Sequence, residues 1–236
     1  MNGSASLSPR ATELCVGGLA RLSTCDWPGE LAATVFCQGC AWDCPYCHNP
    51  GLRVMRTDEA IAWPTILDFL ASRRGLLDGV VFSGGEPMLQ AALPDAIAEV
   101  RALGFRVGLH TAGIAPERFA RLLHLLDWVG FDVKAPFAAY PHITGVEGSG
   151  NRALRSLRHL LASDVPYEVR TTLHPSLLSP ADMLEMKVQL LDLGVENFVV
   201  QQFRSRGTIH SRLPLTSEAP VLPQNYSSGF SHFHIR

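Results

Sequence analysis

Six cysteines occur in the 236-residue chain, and four of them crowd between Cys37 and Cys47. The stretch reads Cys37-Gln38-Gly39-Cys40-Ala41-Trp42-Asp43-Cys44-Pro45-Tyr46-Cys47-His48-Asn49-Pro50. Thiols at this density point to metal binding or redox chemistry. In fragments the stretch is ambiguous. Cys44-x2-Cys47 alone has the spacing of a thiol–disulfide exchange pair. That pair needs a helix N-terminus to lower the first thiol's pKa, and Pro50 and Gly51 stand against a long helix there. With His48 added, the pair has the form of a c-type haem attachment, which requires export. Cys37, Cys40, Cys44, Cys47 and His48 together exceed the four ligands of a zinc site. The triplet Cys40-x3-Cys44-x2-Cys47 offers another chemistry. Three thiolates hold three irons of a cubane cluster and leave the fourth iron open, whereas electron-transfer clusters usually have four protein cysteines. Cys37 alternates with Phe36 at the end of an apolar run and is read as a packed cysteine. On the cysteines alone, zinc stays open.

Other candidates stand at the ends of later apolar runs. Ser83-Gly84-Gly85-Glu86-Pro87 has a bland reading as a tight turn. Its glycines also let a ligand approach the backbone, and Glu86 adds an anionic acceptor. His110-Thr111-Ala112-Gly113 and Asp132-Val133-Lys134 follow in the same way. Asp132 and Lys134 can be an ordinary strand-end ion pair, and His110 an ordinary packed histidine. Asp26-Trp27-Pro28-Gly29 reads as a turn. Arg152, Arg155 and Arg158 fall on one helical face, which reads as solvated or, alternatively, as a dock for an acidic partner.

The elements that must position these residues alternate. Short apolar runs at 31–37, 79–83, 105–111, 128–134, 167–173 and 195–202 suit parallel strands buried on both faces. Helical patterns lie between them. Residues 116–126 begin at Pro116 and repeat Phe119, Leu122, Leu123 and Leu126 on one face. A helix over 180–193 starts after Ser179 as N-cap and stops at Gly194, with Leu184, Val188 and Leu191 as its expected apolar stripe. The helix near 151–163 is expected to turn Leu154, Leu157, Leu160 and Leu161 inward. Six β–α alternations fall short of the eight of a closed barrel. An open, partial (β/α)6 barrel of parallel strands with helices outside is expected, with a doubly wound open sheet as the alternative. Either puts the chemistry at the C-terminal strand ends.

Composition narrows the function class. The formal net charge is -2, without the basic excess of a nucleic-acid binder. No apolar run approaches the about 20 residues of a membrane span. The Ser-rich start lacks the apolar core of a secretory signal. A cytoplasmic protein with no nucleic-acid or membrane partner is expected, and there disulfides are rare.

The cysteine triplet with Tyr46 just before its last cysteine, followed by Gly84-Gly85-Glu86-Pro87 on the next strand, resembles the radical S-adenosylmethionine (SAM) superfamily. The resemblance implies that Cys40, Cys44 and Cys47 hold a [4Fe-4S] cluster. It implies that Gly84, Gly85 and Glu86 bind the methionine ammonium of SAM, and that Tyr46, Thr111, Asp132 and Lys134 complete the cofactor pocket. Reductive cleavage of the sulfonium would then yield a 5′-deoxyadenosyl radical.

The stretches VGGLARLSTCDWPGELAATVFCQGC, VVFSGGEP, HTAG, DWVGFDVKAP, ITGVEGSGN and YEVRTTLHP resemble, more narrowly, anaerobic ribonucleoside-triphosphate reductase activating proteins. This implies hydrogen abstraction from a backbone glycine of a partner glycyl-radical enzyme, a flavodoxin- or ferredoxin-type electron donor, and Asp26 as a contact to the substrate peptide. His110 departs from relatives that carry Asp there, so a cation site of their kind is not expected. Residues 12–203 are expected to form the radical SAM domain and 204–236 a poorly ordered tail. The alternatives are a radical SAM enzyme acting on a small molecule, such as a 7-carboxy-7-deazaguanine synthase, and a non-catalytic zinc or iron–sulfur module.

Overall fold

The computed structural model describes residues 10–204, Leu213 and 222–236. Eight strands form one sheet in chain order. β1 (Val16–Ser23) pairs antiparallel with β2 (Ala32–Cys37). The parallel series continues through β3 (Gly79–Gly84), β4 (Arg106–Thr111), β5 (Trp128–Asp132), β6 (Tyr167–Leu173), β7 (Asn197–Gln202) and β8 (His232–Ile235). The six runs read as strands are β2 to β7. Helices separate them in turn: α1 (Trp63–Ala71), α2 (Leu93–Ala102), α3 (Pro116–Leu122), α4 (Tyr140–Thr144) with α5 (Ser149–Leu161), and α6 (Pro180–Asp192). Chain order equals spatial order, so the winding never reverses. A doubly wound sheet needs such a reversal; an open partial barrel does not. The partial barrel is therefore the fold.

Two helix faces differ from expectation. In α6 the buried residues are Met183, Met186 and Leu190, while Leu184 and Val188 are exposed. Both sets have helical spacing, and only the sheet decides between them. Ser179 caps α6 through a capping box with Asp182, and Gly194 beyond it has φ +84°. In α5 the inward residues are Ala153, Leu157 and Leu160, with Leu154 and Leu161 half-buried.

The expectation of a poorly ordered tail fails for 222–236. The sheet takes β8 from that stretch. Tyr226 is buried and donates its hydroxyl to the Met183 carbonyl at 2.9 Å. Phe198 on β7 clusters with Tyr226, Phe230 and Phe233. Most of 205–221, also assigned to the tail, lies outside the described residues.

The barrel interior is closed at one end by Trp27, which reaches in from the β1–β2 turn and stacks on Trp128 at 5.7 Å. Gly79 and Gly108 make this possible. A Cβ on either would stand 2.8 Å or 3.0 Å from the Trp27 ring.

Candidate active site

The cysteine loop leaves β2 and is braced on both sides. Gly39 turns it at φ +97° and donates to the Leu52 carbonyl at 2.7 Å. The Gln38 side chain donates to the carbonyls of Gly51 and Val54 at 3.0 and 2.8 Å. Gln90 donates to the Gln38 carbonyl at 2.9 Å. The β3 end packs directly beneath. Gly85 N–H donates to the Cys37 carbonyl at 2.9 Å, and Glu86 N–H to the Gly39 carbonyl at 2.8 Å. A Cβ on Gly84 would lie 2.5 Å from the Cys37 nitrogen, and one on Gly85 2.3 Å from the Gly39 oxygen. Both glycines are thus demanded by the cysteine loop itself, in addition to any ligand.

Glu86 is buried, and its carboxylate is held from three directions. Oε1 accepts from the Thr111 hydroxyl at 2.8 Å and from Met88 N–H at 3.1 Å; Oε2 accepts from Ala112 N–H at 2.9 Å. Burial raises its pKa, and these hydrogen bonds oppose the rise. Thr111 therefore acts on Glu86.

Asp132 Oδ1 accepts from Arg170 Nε at 3.0 Å and Nη2 at 2.9 Å, while Lys134 Nζ stands 3.7 Å from Oδ2. Burial alone would raise the Asp132 pKa; Arg170 and Lys134 outweigh it and leave it lowered. The Lys134 ammonium also sits 5.5 Å from the centre of the Tyr46 ring.

His110 lies deeper. Its Nε2 is 2.7 Å from the Asp26 carbonyl oxygen, its Nδ1 3.1 Å from Ser83 Oγ. A carbonyl only accepts, so the proton is on Nε2, and the Ser83 hydroxyl donates to Nδ1. Arg170 Nη1, 3.1 Å from the same Nε2, then makes a close contact without a hydrogen bond. Burial first, and the Arg170 charge second, push the His110 pKa down to about 3, so the ring is neutral at pH 7. The Asp26 carboxylate accepts from the Thr34 hydroxyl at 2.6 Å.

Every site residue expected from the sequence lines one cavity of about 260 Å³: Asp26, Cys40, Cys44, Tyr46, Cys47, Gly84, Gly85, Glu86, Thr111, Asp132 and Lys134. The cavity opens at the C-terminal ends of the strands. Cys37 is fully buried and takes no part in it. The sequence reading missed Trp42, Ser83, Arg170, Thr172 and Gln201 on the same walls. A charge at position 170, in the middle of an apolar strand, was the available signal. A larger groove of about 870 Å³ lies at the opposite strand ends, around Arg106, Asp127 and Asp164, and holds none of these residues.

Among the described residues no three His, Cys, Asp or Glu side chains are gathered tightly enough to hold a metal ion as they stand. Cys40, Cys44 and Cys47 instead share one cavity wall; burial pushes the Cys40 thiol up to about 11 and raises the Cys44 thiol, with the Lys134 charge opposing the rise at both. Cysteine sulfur is the soft ligand that iron–sulfur clusters take, and binding iron removes the thiol proton. Beside them stand a fixed, buried carboxylate, Glu86, and the ammonium of Lys134, whose side chain is 12% exposed. That donor set fits a cluster together with a zwitterionic amino-acid ligand.

The fold and this wall of thiols belong to one class of enzyme. Residues 34–186 match the radical SAM superfamily, and the chain belongs to it. The cofactors of that family are a [4Fe-4S] cluster and SAM. A relative from Methanocaldococcus jannaschii, named provisionally as a glycyl-radical enzyme activating enzyme, is 31% identical over 221 residues, 86% of this chain and 87% of its own. Two solved structures share the fold. Native anSMEcpe with bound AdoMet has a TM-score of 0.58 and 14% identity over 70% of this chain and 50% of its own. Streptococcus suis SuiB bound to precursor peptide SuiA has a TM-score of 0.57 and 12% identity over 71% of this chain. This chain spans 38% of the SuiB chain. Among the described residues no helix is long and apolar enough to cross a membrane.

Proposed function

We propose that this protein is a cytoplasmic activating enzyme that installs a glycyl radical on a partner, anaerobic ribonucleoside-triphosphate reductase. The observation that carries the reading is the 31% identity to the Methanocaldococcus relative along nearly the whole of both chains. The shared cavity supports it.

In this reading Cys40, Cys44 and Cys47 hold the cluster. When bound, it supplies the single electron that splits the sulfonium of SAM into methionine and a 5′-deoxyadenosyl radical. The chain's own groups orient the cofactor. The Gly84–Glu86 turn faces the methionine ammonium, and Glu86 enters already fixed by Thr111 and Ala112. Lys134 faces the methionine carboxylate, with Asp132 and Tyr46 holding the ammonium in place. A glycine Cα of the partner held at this cavity would give up one hydrogen atom to the adenosyl carbon, leaving 5′-deoxyadenosine and a glycyl radical. Asp26, on the cavity wall, contacts the peptide that carries the glycine. The electron comes from a flavodoxin- or ferredoxin-type donor.

The test is anaerobic reconstitution with iron and sulfide, reduction, and incubation with SAM and the reductase. The expected result is the glycyl doublet in electron paramagnetic resonance. SAM cleavage without any doublet on the reductase would overturn the choice of partner. A loaded cluster without SAM cleavage would overturn the catalytic reading.

A further inference from the structure

The cysteine loop carries one polar group that the site described above leaves unused. Trp42 lies between Cys40 and Cys44, is 2% exposed, and forms part of the wall that the three thiols line. Its indole Nε1–H is buried and has no hydrogen-bond partner among the described residues. A buried donor without an acceptor costs stability, and such orphans in native proteins mark a redox role or a group not yet in place. The contrast with Trp63 is direct. That indole is equally buried, and its Nε1–H reaches Glu99 Oε2 at 2.6 Å.

Packing alone does not call for an indole at this position. Trp42 meets Tyr140 edge to face at 5.9 Å and 81°. Phenylalanine would fill that contact without a donor to satisfy. The main chain that carries the indole is held on both sides. Arg53 Nε donates to the Trp42 carbonyl at 3.2 Å, and the neighbouring Asp43 N–H donates to the Thr144 carbonyl at 2.8 Å. The Trp42 main chain is itself hydrogen-bonded to the Cys40 thiol. A buried donor on the loop that carries the three thiols lacks an acceptor, and the acceptors that a cluster brings to that loop are thiolate and sulfide sulfurs.

We infer that the Trp42 indole N–H donates a hydrogen bond to a sulfur of the iron–sulfur cluster and thereby holds its reduction potential up. The inference rests on Cys40, Cys44 and Cys47 holding that cluster. Reduction adds one negative charge to the cluster, and an N–H donor stabilises the more negative state more. Hydrogen bonds to the sulfurs are one of the protein's levers on cluster potential. Trp42 is thus a positioning and tuning residue, distinct from the groups that touch SAM.

The test uses the full chain, wild type and Trp42→Phe, reconstituted anaerobically with iron and sulfide and without SAM. Each is titrated with dithionite in redox mediators, and the reduced cluster is followed by electron paramagnetic resonance. The expected result is equal iron and sulfide content with a more negative potential in Trp42→Phe. The ratio of reduced to oxidised cluster at a fixed ambient potential falls about tenfold, ~59 mV for a one-electron couple. Equal potentials with full clusters overturn the inference and leave the N–H on the Tyr140 ring. If Trp42→Phe holds no cluster, wild-type protein labelled with ¹⁵N in its indoles decides. Hyperfine coupling between ¹⁵N and the reduced cluster supports the inference; its absence from a full cluster overturns it. Failure of the cluster reading itself shows separately, as wild-type protein that takes up no iron and sulfide.

Discussion

Arg170 holds Asp132 through two nitrogens of its guanidinium, Nε at 3.0 Å and Nη2 at 2.9 Å from the same carboxylate oxygen. The contact joins the neighbouring strands β5 and β6, where the two residues are register partners, and Gly130 makes room for it. A Cβ there would stand 2.8 Å from Arg170 Cζ. Lys134 shares the same carboxylate.

Arg170→Met therefore leaves Asp132 with Lys134 alone. The expected cost is about 3 kcal/mol, the low end for breaking a buried pair, because the Asp132 side chain is 35% exposed. Arg170→Lys keeps the charge but loses the planar fork, and is expected to recover less than half of that. Urea unfolding followed by circular dichroism measures both. Equal stability of all three proteins would show that the pair contributes nothing.

A second prediction concerns pH. His110 has a folded pKa of about 3 against an ordinary value of 6.5. Between these values the unfolded chain binds a proton that the folded chain does not. Stability therefore rises with pH through this window and is lost as pH falls from about 6.5 toward 3. The lowered carboxylates Asp26 and Asp132 act below 3.8, so the upper part of the window isolates the histidine from them. His110→Gln still offers an amide donor to the Asp26 carbonyl and an acceptor to Ser83. It is expected to flatten the slope between pH 6 and 4.5 by up to one proton, about 1.4 kcal/mol per pH unit. Urea unfolding at a series of pH values measures the slope. A slope the same as wild type would mean that His110 titrates normally.

Much of this was legible in the sequence, for a physical reason. Strands buried on both faces must be apolar runs, and a barrel gathers their C-terminal ends. Residues 40–47, 84–86, 111 and 132–134 therefore had to converge once the six runs were recognised. Arg170 was not legible as a partner of Asp132, because the two stand on different strands of the sheet. The run at 167–173 looked like a plain buried strand. Gly79, Gly108 and Gly130 gave no sign that they make space for Trp27 and Arg170, since a glycine names no neighbour. The face of α6 was a choice between two sets of equal spacing. Leu191, taken as inward, is instead met by the tail at Gly229, where a Cβ would stand 2.8 Å from Leu191 Cδ1. The strand at His232–Ile235 is four residues long and carries no periodic signal.

A third prediction tests the join between β3 and the cysteine loop. Gly85→Ala places a methyl 2.3 Å from the Gly39 oxygen, against backbone that cannot yield without moving Cys40. Iron and sulfide uptake on reconstitution is expected to fall severalfold. Gly18→Ala on β1 meets only the Phe36 ring at an ordinary 3.6 Å and is expected to load normally. Equal loading of the two variants would show that the loop tolerates displacement.

The fourth prediction separates the thiols by place. Cys40, Cys44 and Cys47 line the cavity; Cys15, Cys25 and Cys37 do not. Replacing any of the first three by Ala removes one of the proposed cluster ligands and is expected to abolish reductive SAM cleavage. Cys15→Ala and Cys25→Ala are expected to retain it. Cys37 is the discriminating case, because it stands three residues before Cys40 and so is a fourth cysteine within reach in the sequence. Its burial pushes the thiol pKa far up, the behaviour of a packed sulfhydryl. Cys37→Ala is expected to cost about 1 kcal/mol as a small cavity while cluster content and SAM cleavage persist. Loss of the cluster in a Cys37→Ala protein that remains folded by circular dichroism would make Cys37 a fourth ligand. It would also close the iron at which SAM must bind.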